Sequence, residues 1–513
     1  MRLGCAALMG MLCLGLGAQE AAKHVRYSDF GAKGDGKADD QAAIVKAHEY
    51  ANEHNLPVRA DDNATYYIGS GAAIAVIKTD TDFGTAKFTI DDRKVDNLKA
   101  PIFHVGTSMA FPDSAKIMSE LKSVKRGQAN LGVKLPCDCL VVLSDSTRKM
   151  YIRYGANQNN GSSMRDLLLV DKDGNISADT PVIWNFDTIT GVNAYPVDSK
   201  ALTVKGGIFT TIANQAESKY TYYGRGFNVR RSNVVMEKMK HLVTGEGDHG
   251  APYSAFIGIS NCVNVIVRDT VLTGHKTYRT IGSAKTPVSM GTYDINANTA
   301  ANISFINVTQ TNDINDTRYW GILGTNYCKN LLYDNCVLSR FDAHQGVANA
   351  TIRNSTLGHN GASIIGFGTF TMENTTSHGA SLFSLRSDYG STWEGDIVIR
   401  NCTFVPRNHG WTAIALISGS YSGKHNFGYT SYFGRKILIE NLLIKDGKMG
   451  EKYTGLVVFS NFNGAFKDDA FQETFPAVRP EEVIVRNLKT ESGKTMRLSA
   501  NEAFFKDVKF TVE

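Results

Sequence analysis

Between Leu202 and Asn487 the chain repeats one phrase ten times: a short run of alternating apolar residues, then a polar turn residue that is most often Asn. The clearest copies are VIVRD ending at Asp269, SFIN at Asn307, LLYDN at Asn335, TIRN at Asn354, TMEN at Asn374, IVIRN at Asn401, ILIEN at Asn441 and VIVRN at Asn487. Weaker copies end at Gly206 and Lys238. Such alternation makes a half-buried strand, and a polar residue in the same place each time marks a repeated bend. The turn residues are spaced 32, 31, 38, 28, 19, 20, 27, 40 and 46 apart. A short minimum with wide excursions fits a parallel β-helix, in which each rung keeps its strands while loops of any length bulge between them. A leucine-rich repeat would need a tighter leucine ladder, and a propeller a steadier period. The stacked Asn side chains are expected to bond one another and to face the body of the protein, satisfying polar groups of a buried turn. On that reading the NxS/T sequons at Asn307, Asn354 and Asn374 are structural rather than glycosylated.

With 513 residues, 42% of them apolar, and 48 Gly for tight corners, the chain can form one elongated domain. Arg2, an apolar run from Cys5 to Leu16 and a small-residue exit at Gly17 and Ala18 read as a secretory signal peptide over residues 1–18, cleaved near Ala18. The run is too short to span a membrane as a stable helix. Cys13 invites a lipid anchor, but Leu12 stands before it where a small residue is expected. The expected location is secreted, periplasmic or at the surface of a bacterial cell. Cys336 and Cys402 each follow a ladder Asn, and Cys262 and Cys328 each precede a strand, so all four are expected to be small core residues. A lone pair at Cys137 and Cys139 is a weak zinc signal, and no metal site is expected. A formal charge of +5 is too mild for nucleic acid yet permits an anionic polysaccharide, bound by a single copy of the chain.

Near the N-terminus the sequence reads VRYSDFGAKGDGKADDQAAI from Val25 to Ile44. It describes a strand, a Gly-rich turn and a helix with Asp39 and Asp40 as N-cap candidates and Ile44, Ala47 and Tyr50 on its apolar face. An amphipathic helix is a good plug for the open end of a coil, whose strand edges would otherwise recruit another chain. The phrase DFGAKGDGKADDQAAI resembles the N-terminal signature of the pectate-lyase-like superfamily of right-handed parallel β-helix proteins. The fold expected is therefore all-β: a single-stranded right-handed parallel β-helix with an N-terminal capping helix and an inserted β-rich flap. Residues 19–109 are assigned to the cap and first coils, 110–187 to the flap, and 188–513 to the coils carrying the groove. The flap lacks the ladder but has a helical piece around Lys116 to Val124 and alternating segments such as LVVLSD and KMYIRYG. DKDGN at Asp171 fits a hairpin turn better than a calcium loop.

The resemblance implies that the ladder lies between the second and third strands of a rung, and that substrate binds over the first-strand sheet and the loops leading into it. Functional residues should then follow each ladder residue in stacked register. After Lys238 come Glu246, Asp248, His249 and Tyr253; after Asp269 come His275, Lys276, Arg279, Lys285, Tyr293 and Asp294. Arg318, Tyr319 and Trp320 follow Asn307, and Arg340, Asp342 and His344 follow Asn335, with His359, His378, Arg386 and Asp388 beyond. Cleaving a uronate polysaccharide by β-elimination needs a cation to neutralise the carboxylate, a base for the C5 proton and an acid for the leaving oxygen. His, Lys, Arg and Tyr do these jobs. The expected catalytic set is His275, Lys276, Arg279, Arg340 and His344, with His249, Tyr253, Arg318, Tyr319, Trp320, His359 and Arg386 binding substrate.

The expected activity is lysis of an acidic polysaccharide, a glycosaminoglycan such as chondroitin or hyaluronan slightly before pectin. A glycoside hydrolase is the alternative, with Glu246, Asp248, Asp294, Asp342 and Asp388 as its carboxylates. Polygalacturonase-type hydrolases carry a paired Asp, a GHG turn and an RxK; here LGHNGASIIG puts Asn360 in the turn, and neither other motif is in place. A cationic, aromatic lane suits a site with no cofactor better than a calcium-dependent one. The third reading is a carbohydrate-binding β-helix without catalysis, with Tyr319, Trp320 and Trp393 stacking on sugars.

Overall fold

The computed structural model describes residues 24–321, 323–407 and 410–513. The expected signal peptide, its cleavage near Ala18 and the Cys13 anchor lie outside them. The chain winds as a parallel β-helix in which 33 strands join one continuous sheet system. Each rung contributes three strands. The second strands stack in register from Val234 through Val265, Ile303, Leu331, Ala350, Phe370, Ile397 and Ile437 to Val483. All nine of these side chains are buried. The alternation in the repeat is thus an inside–outside alternation, and each rung hands its apolar residues to the interior column of the next.

Every ladder residue from Lys238 to Asn487 sits at positive φ, between 48° and 56°. Asn tolerates that left-handed bend better than other side-chain-bearing residues. The ladder amides face solvent, contrary to the sequence reading: Asn307, Asn335, Asn354, Asn374, Asn401, Asn441 and Asn487 are all exposed. They still bond one another, as Asn441 Nδ2 to Asn401 Oδ1 at 2.8 Å and Asn487 Nδ2 to Asn441 Oδ1 at 2.7 Å. What the bend buries is the next residue, including Cys336 and Cys402 as expected, and Cys262 and Cys328 are buried too. A second ladder, unseen in the sequence, runs between the first and second strands. Asn264, Asn302, Asn330 and Asn349 each donate to the previous Asn, starting from Asn233, at 2.8–3.2 Å.

The capping helix spans Gln41–His54 and buries Ile44, Ala47, His48 and Ala51. Tyr50 lies on its rim instead, stacked on His54. Asp40 does not cap the helix with its side chain; its carboxylate accepts the Lys33 and Gly34 amides and closes the Gly-rich loop. The flap is a three-stranded antiparallel sheet of Cys139–Met150, Ser162–Val170 and Gly191–Pro196, with a helix at Ser114–Glu120. Its last strand lies beyond the boundary at residue 187 assigned from the sequence, and the coil resumes at Leu202–Lys205. Asp171 accepts the amides of Asp173 and Asn175, so DKDGN is a hairpin turn. The flap shares a core with Val263, Ala301, Tyr327, Ile365 and Tyr389 of the coil. A buried ion pair, Lys329 Nζ to Asp166 Oδ1 at 2.6 Å, bolts it there. Among the described residues no helix is long and apolar enough to cross a membrane.

Candidate active site

The first-strand sheet carries a groove. On one edge stand the long loops that follow the third strands, and on the other the flap. Its floor is built from short outward side chains in register. Asn228, Gly258, Asn296 and Gly324 form one column, and Ser260, Asn298 and Asn326 the next. A cavity of about 340 Å³ lies over the N-terminal part of this floor, lined by Lys99, Tyr222, Asn228, Ser260, Asn296 and Asn298 among others. Adjacent rungs are roughly 4.8 Å apart.

At the next rung the chemistry thickens. The Tyr293 ring lies against Gly324, where a Cβ would meet its Cε1 at 2.9 Å and force the ring to shift. Asp342 pairs with Arg340 Nη2 at 2.8 Å and accepts Arg386 Nη1 at 3.0 Å. Arg386 Nη2 donates to Asp388 Oδ2 at 2.9 Å, and Arg153 from the flap reaches the same oxygen at 2.8 Å. Three guanidiniums against two carboxylates leave this cluster net cationic. Burial alone would raise the Asp342 carboxyl, but the Arg340 and Arg386 guanidiniums outweigh it and hold it below the usual range. Arg340 also stacks on Trp320, 4.7 Å from its ring centroid.

His344 stands beside this cluster. Its Nδ1 lies 2.8 Å from Asn326 Oδ1, an acceptor, so Nδ1 carries the proton and Nε2 keeps its lone pair. Nε2 points to the Tyr389 hydroxyl 3.5 Å away. Burial and then the Arg386 charge pull the His344 imidazole down to about 4. It is therefore neutral near neutral pH. Burial, and then Asp342, push the Tyr293 phenol up, so it keeps its proton.

The other expected catalytic residues lie elsewhere. His275 is 1% exposed, with Nδ1 3.3 Å from Glu246 and Nε2 3.1 Å from Asp294. Burial pulls it down, but the two carboxylates outweigh burial and push it up to about 9. The two carboxylates thus favour its imidazolium form. Asp294 also accepts His241 Nδ1 at 2.8 Å and the Thr273 amide, and Tyr253 stacks on His275 at 4.6 Å. Lys276 Nζ is spent on the carbonyls of Glu246 and Gly247, both at 3.1 Å. These contacts of His275, Lys276 and Tyr253 tie neighbouring loops together. Arg279 is exposed on the hairpin Arg279–Ile281/Pro287–Ser289, in a shallow depression with His249 away from the groove floor. Arg318 is exposed and held by Asp316 in its own loop, with Tyr319 beside it. His359 is buried and donates from Nδ1 to Ile314 O, pinning that loop.

Of the twelve predicted residues, Arg340, His344, Arg386 and Trp320 come together. The sequence reading missed Arg153, Asn326 and Tyr389, and passed over Tyr293 as a site residue. Tyr293 and Asp342 were visible in the lane. Arg153 carried no signal, because it reaches the rung from the flap.

No protein-family model matches the chain, and no curated protein sequence matches it. Among solved structures it is similar to the tailspike gp61 of Pseudomonas phage phi297, at 13% identity, covering 94% of this chain and 83% of that one, with a TM-score of 0.51. It is similar also to the tailspike gp49 of Pseudomonas phage LKA1, at 13% identity, covering 95% and 84%, with a TM-score of 0.50. At such identity the likeness speaks to fold alone: the chain has the right-handed parallel β-helix fold.

Proposed function

We propose that this chain is a secreted polysaccharide lyase that cleaves a uronate-containing polysaccharide by β-elimination at the rung of His344. The observation that carries the reading is a neutral imidazole, protonated on Nδ1 and with the Tyr389 hydroxyl 3.5 Å from its Nε2, beside a net-cationic arginine cluster. The sugar carboxylate is drawn to Arg153 and Arg386, and its neutralisation acidifies the C5 proton. His344 Nε2 takes that proton. The C5–H electrons form the C4–C5 double bond, the C4–O4 bond breaks, and the leaving O4 takes the phenolic proton of Tyr293. The net charge of the cluster favours a densely anionic polymer, a glycosaminoglycan before pectin.

Hydrolysis is the second reading, favoured by one guanidinium holding both Asp342 and Asp388. Paired carboxylates are what glycosidases use, although an ionised Asp342 would serve there as base or nucleophile and not as acid. The test is to incubate the protein with chondroitin sulfates, hyaluronan, heparin, pectate and alginate, with and without chelator. Ultraviolet absorbance of the unsaturated uronide and new reducing ends are followed together. Elimination predicts an absorbance rise with one polymer that survives chelator and drops at least about 10²-fold in His344→Ala. New reducing ends without absorbance point to hydrolysis, and neither signal overturns both.

A further inference from the structure

The connection between the first two flap strands, residues 151–161, crosses the groove and is tied to both of its walls. On the flap side the Tyr154 amide donates to Asp388 O at 3.0 Å, the Ile152 amide to Phe427 O at 3.2 Å, and His425 Nε2 lies 3.1 Å from Ile152 O. On the opposite side the Ala284 amide donates to Ala156 O at 3.1 Å, Ser283 Oγ to Gln158 O at 2.7 Å, and Asn157 Nδ2 to the Tyr220 hydroxyl at 2.8 Å. Asp388 and Phe427 follow first strands and so lie on one edge of that sheet. Tyr220 and Ser283 precede first strands and lie on the other edge. A segment anchored at both edges must roof the sheet between them.

The roof falls where the open cavity stops. The cavity lining ends at Asn296 and Asn298. One rung further, Tyr293 covers Gly324, and Arg153 from the roof sits over the Tyr389 ring at 5.5 Å. Tyr222, on the cavity wall, is close enough to both Tyr293 and Arg153 for their charges to act on its hydroxyl. The groove is therefore open towards the capping helix and stopped from the rung of Gly324 to that of His344, the next one along.

We propose that the tip 151–161 makes this a blind-ended groove, so that the protein engages the ends of linear acidic glycan chains and not their interiors. The inference rests on the reading of the site as polysaccharide-cleaving, and adds the mode of attack. A chain lying along Asn228, Asn296 and Asn298 can bring only a terminal unit to His344, because a longer chain would have to pass through the tip. Arg153 is then a specificity-determining residue: it belongs to the stopper and faces the terminal unit.

The tip can be removed with little disturbance, because Met150 pairs with Ser162 and Gly161 packs directly on Met150 O and Ile152. Replacing residues 154–158 with Asn-Gly keeps Arg153, removes the anchors at Ala156, Asn157 and Gln158, and closes the hairpin with a two-residue turn. A milder variant, Ser283→Ala with Asn157→Ala, cuts two anchors on one wall. The polymer that gives signal is digested by all three proteins, and product size is measured against the number of bonds cut. Wild type is expected to release small oligosaccharides while polymer mass falls slowly, and both variants to lower polymer mass early in the reaction. Rapid mass loss by wild type at low conversion overturns the blind groove while leaving the cleavage reading standing. If no polymer is cut, the cleavage reading falls, and binding decides the groove. Tighter binding of hyaluronan or pectate oligosaccharides than of the same polymers coupled to beads through their ends supports it, and equal binding overturns it.

Discussion

At the residue scale the site is governed by how burial and charge divide two histidines of similar sequence setting. His275 lies between Glu246 and Asp294 and is held charged, whereas His344 lies beside Arg386 with only an amide on its Nδ1 and is held neutral. His275→Ala should therefore cost stability rather than chemistry, on the order of 3 kcal/mol, since it strands two carboxylates. The sign with pH follows from its raised value. Its contribution is complete below an unfolded value of about 6.5 and is lost as pH rises through about 9. Denaturant midpoints of wild type and His275→Ala should converge between neutral and alkaline pH; a gap that stays constant would contradict the imidazolium assignment. The sequence places both histidines in one lane and cannot separate them, because the separating partners, Asn326, Asp294 and Arg386, are set by register between rungs. Nor does it show that the ladder amides point outward, since a left-handed bend and an inward turn share the same Asn preference.

At the element scale the coil was legible and the flap was only half so. Alternating strands and a repeated Asn give the stacking direction and the inner face from local pattern alone. The flap's role depends on where its hairpin tip lands, which no local pattern encodes. Its docking also rests on a pair that sequence cannot reveal: Lys329 and Asp166, with side chains 2% and 0% exposed, where Lys329 also donates to Pro181 O. Lys329→Met leaves Asp166 buried without its cation, a loss of about 3 kcal/mol or more. Amide exchange in Cys139–Met150 and Ser162–Val170 should speed markedly, while Ile397–Arg400 and Lys436–Glu440 in the coil stay protected. Unchanged exchange in the flap would show that its apolar contacts with Tyr327 and Tyr389 suffice.

At the scale of the whole molecule, a long repeating coil supplies a rigid, regular floor and the insertions wall it in. The coil fixes a floor of short polar side chains at a regular rise, suited to an extended polymer lying along its axis. The coil strand Val337–Gln345 sets Arg340 and His344 on that floor, and the flap adds Arg153 over it. The most direct measurement is the pH profile of kcat/KM for formation of the unsaturated uronide, taken for wild type and His344→Ala. A base held down by burial and Arg386 should keep wild-type activity through mildly acidic pH and lose it near pH 4, with His344→Ala inactive throughout. An acidic limb at the ordinary histidine value of about 6.5, or a His344→Ala protein as fast as wild type, would place the base elsewhere.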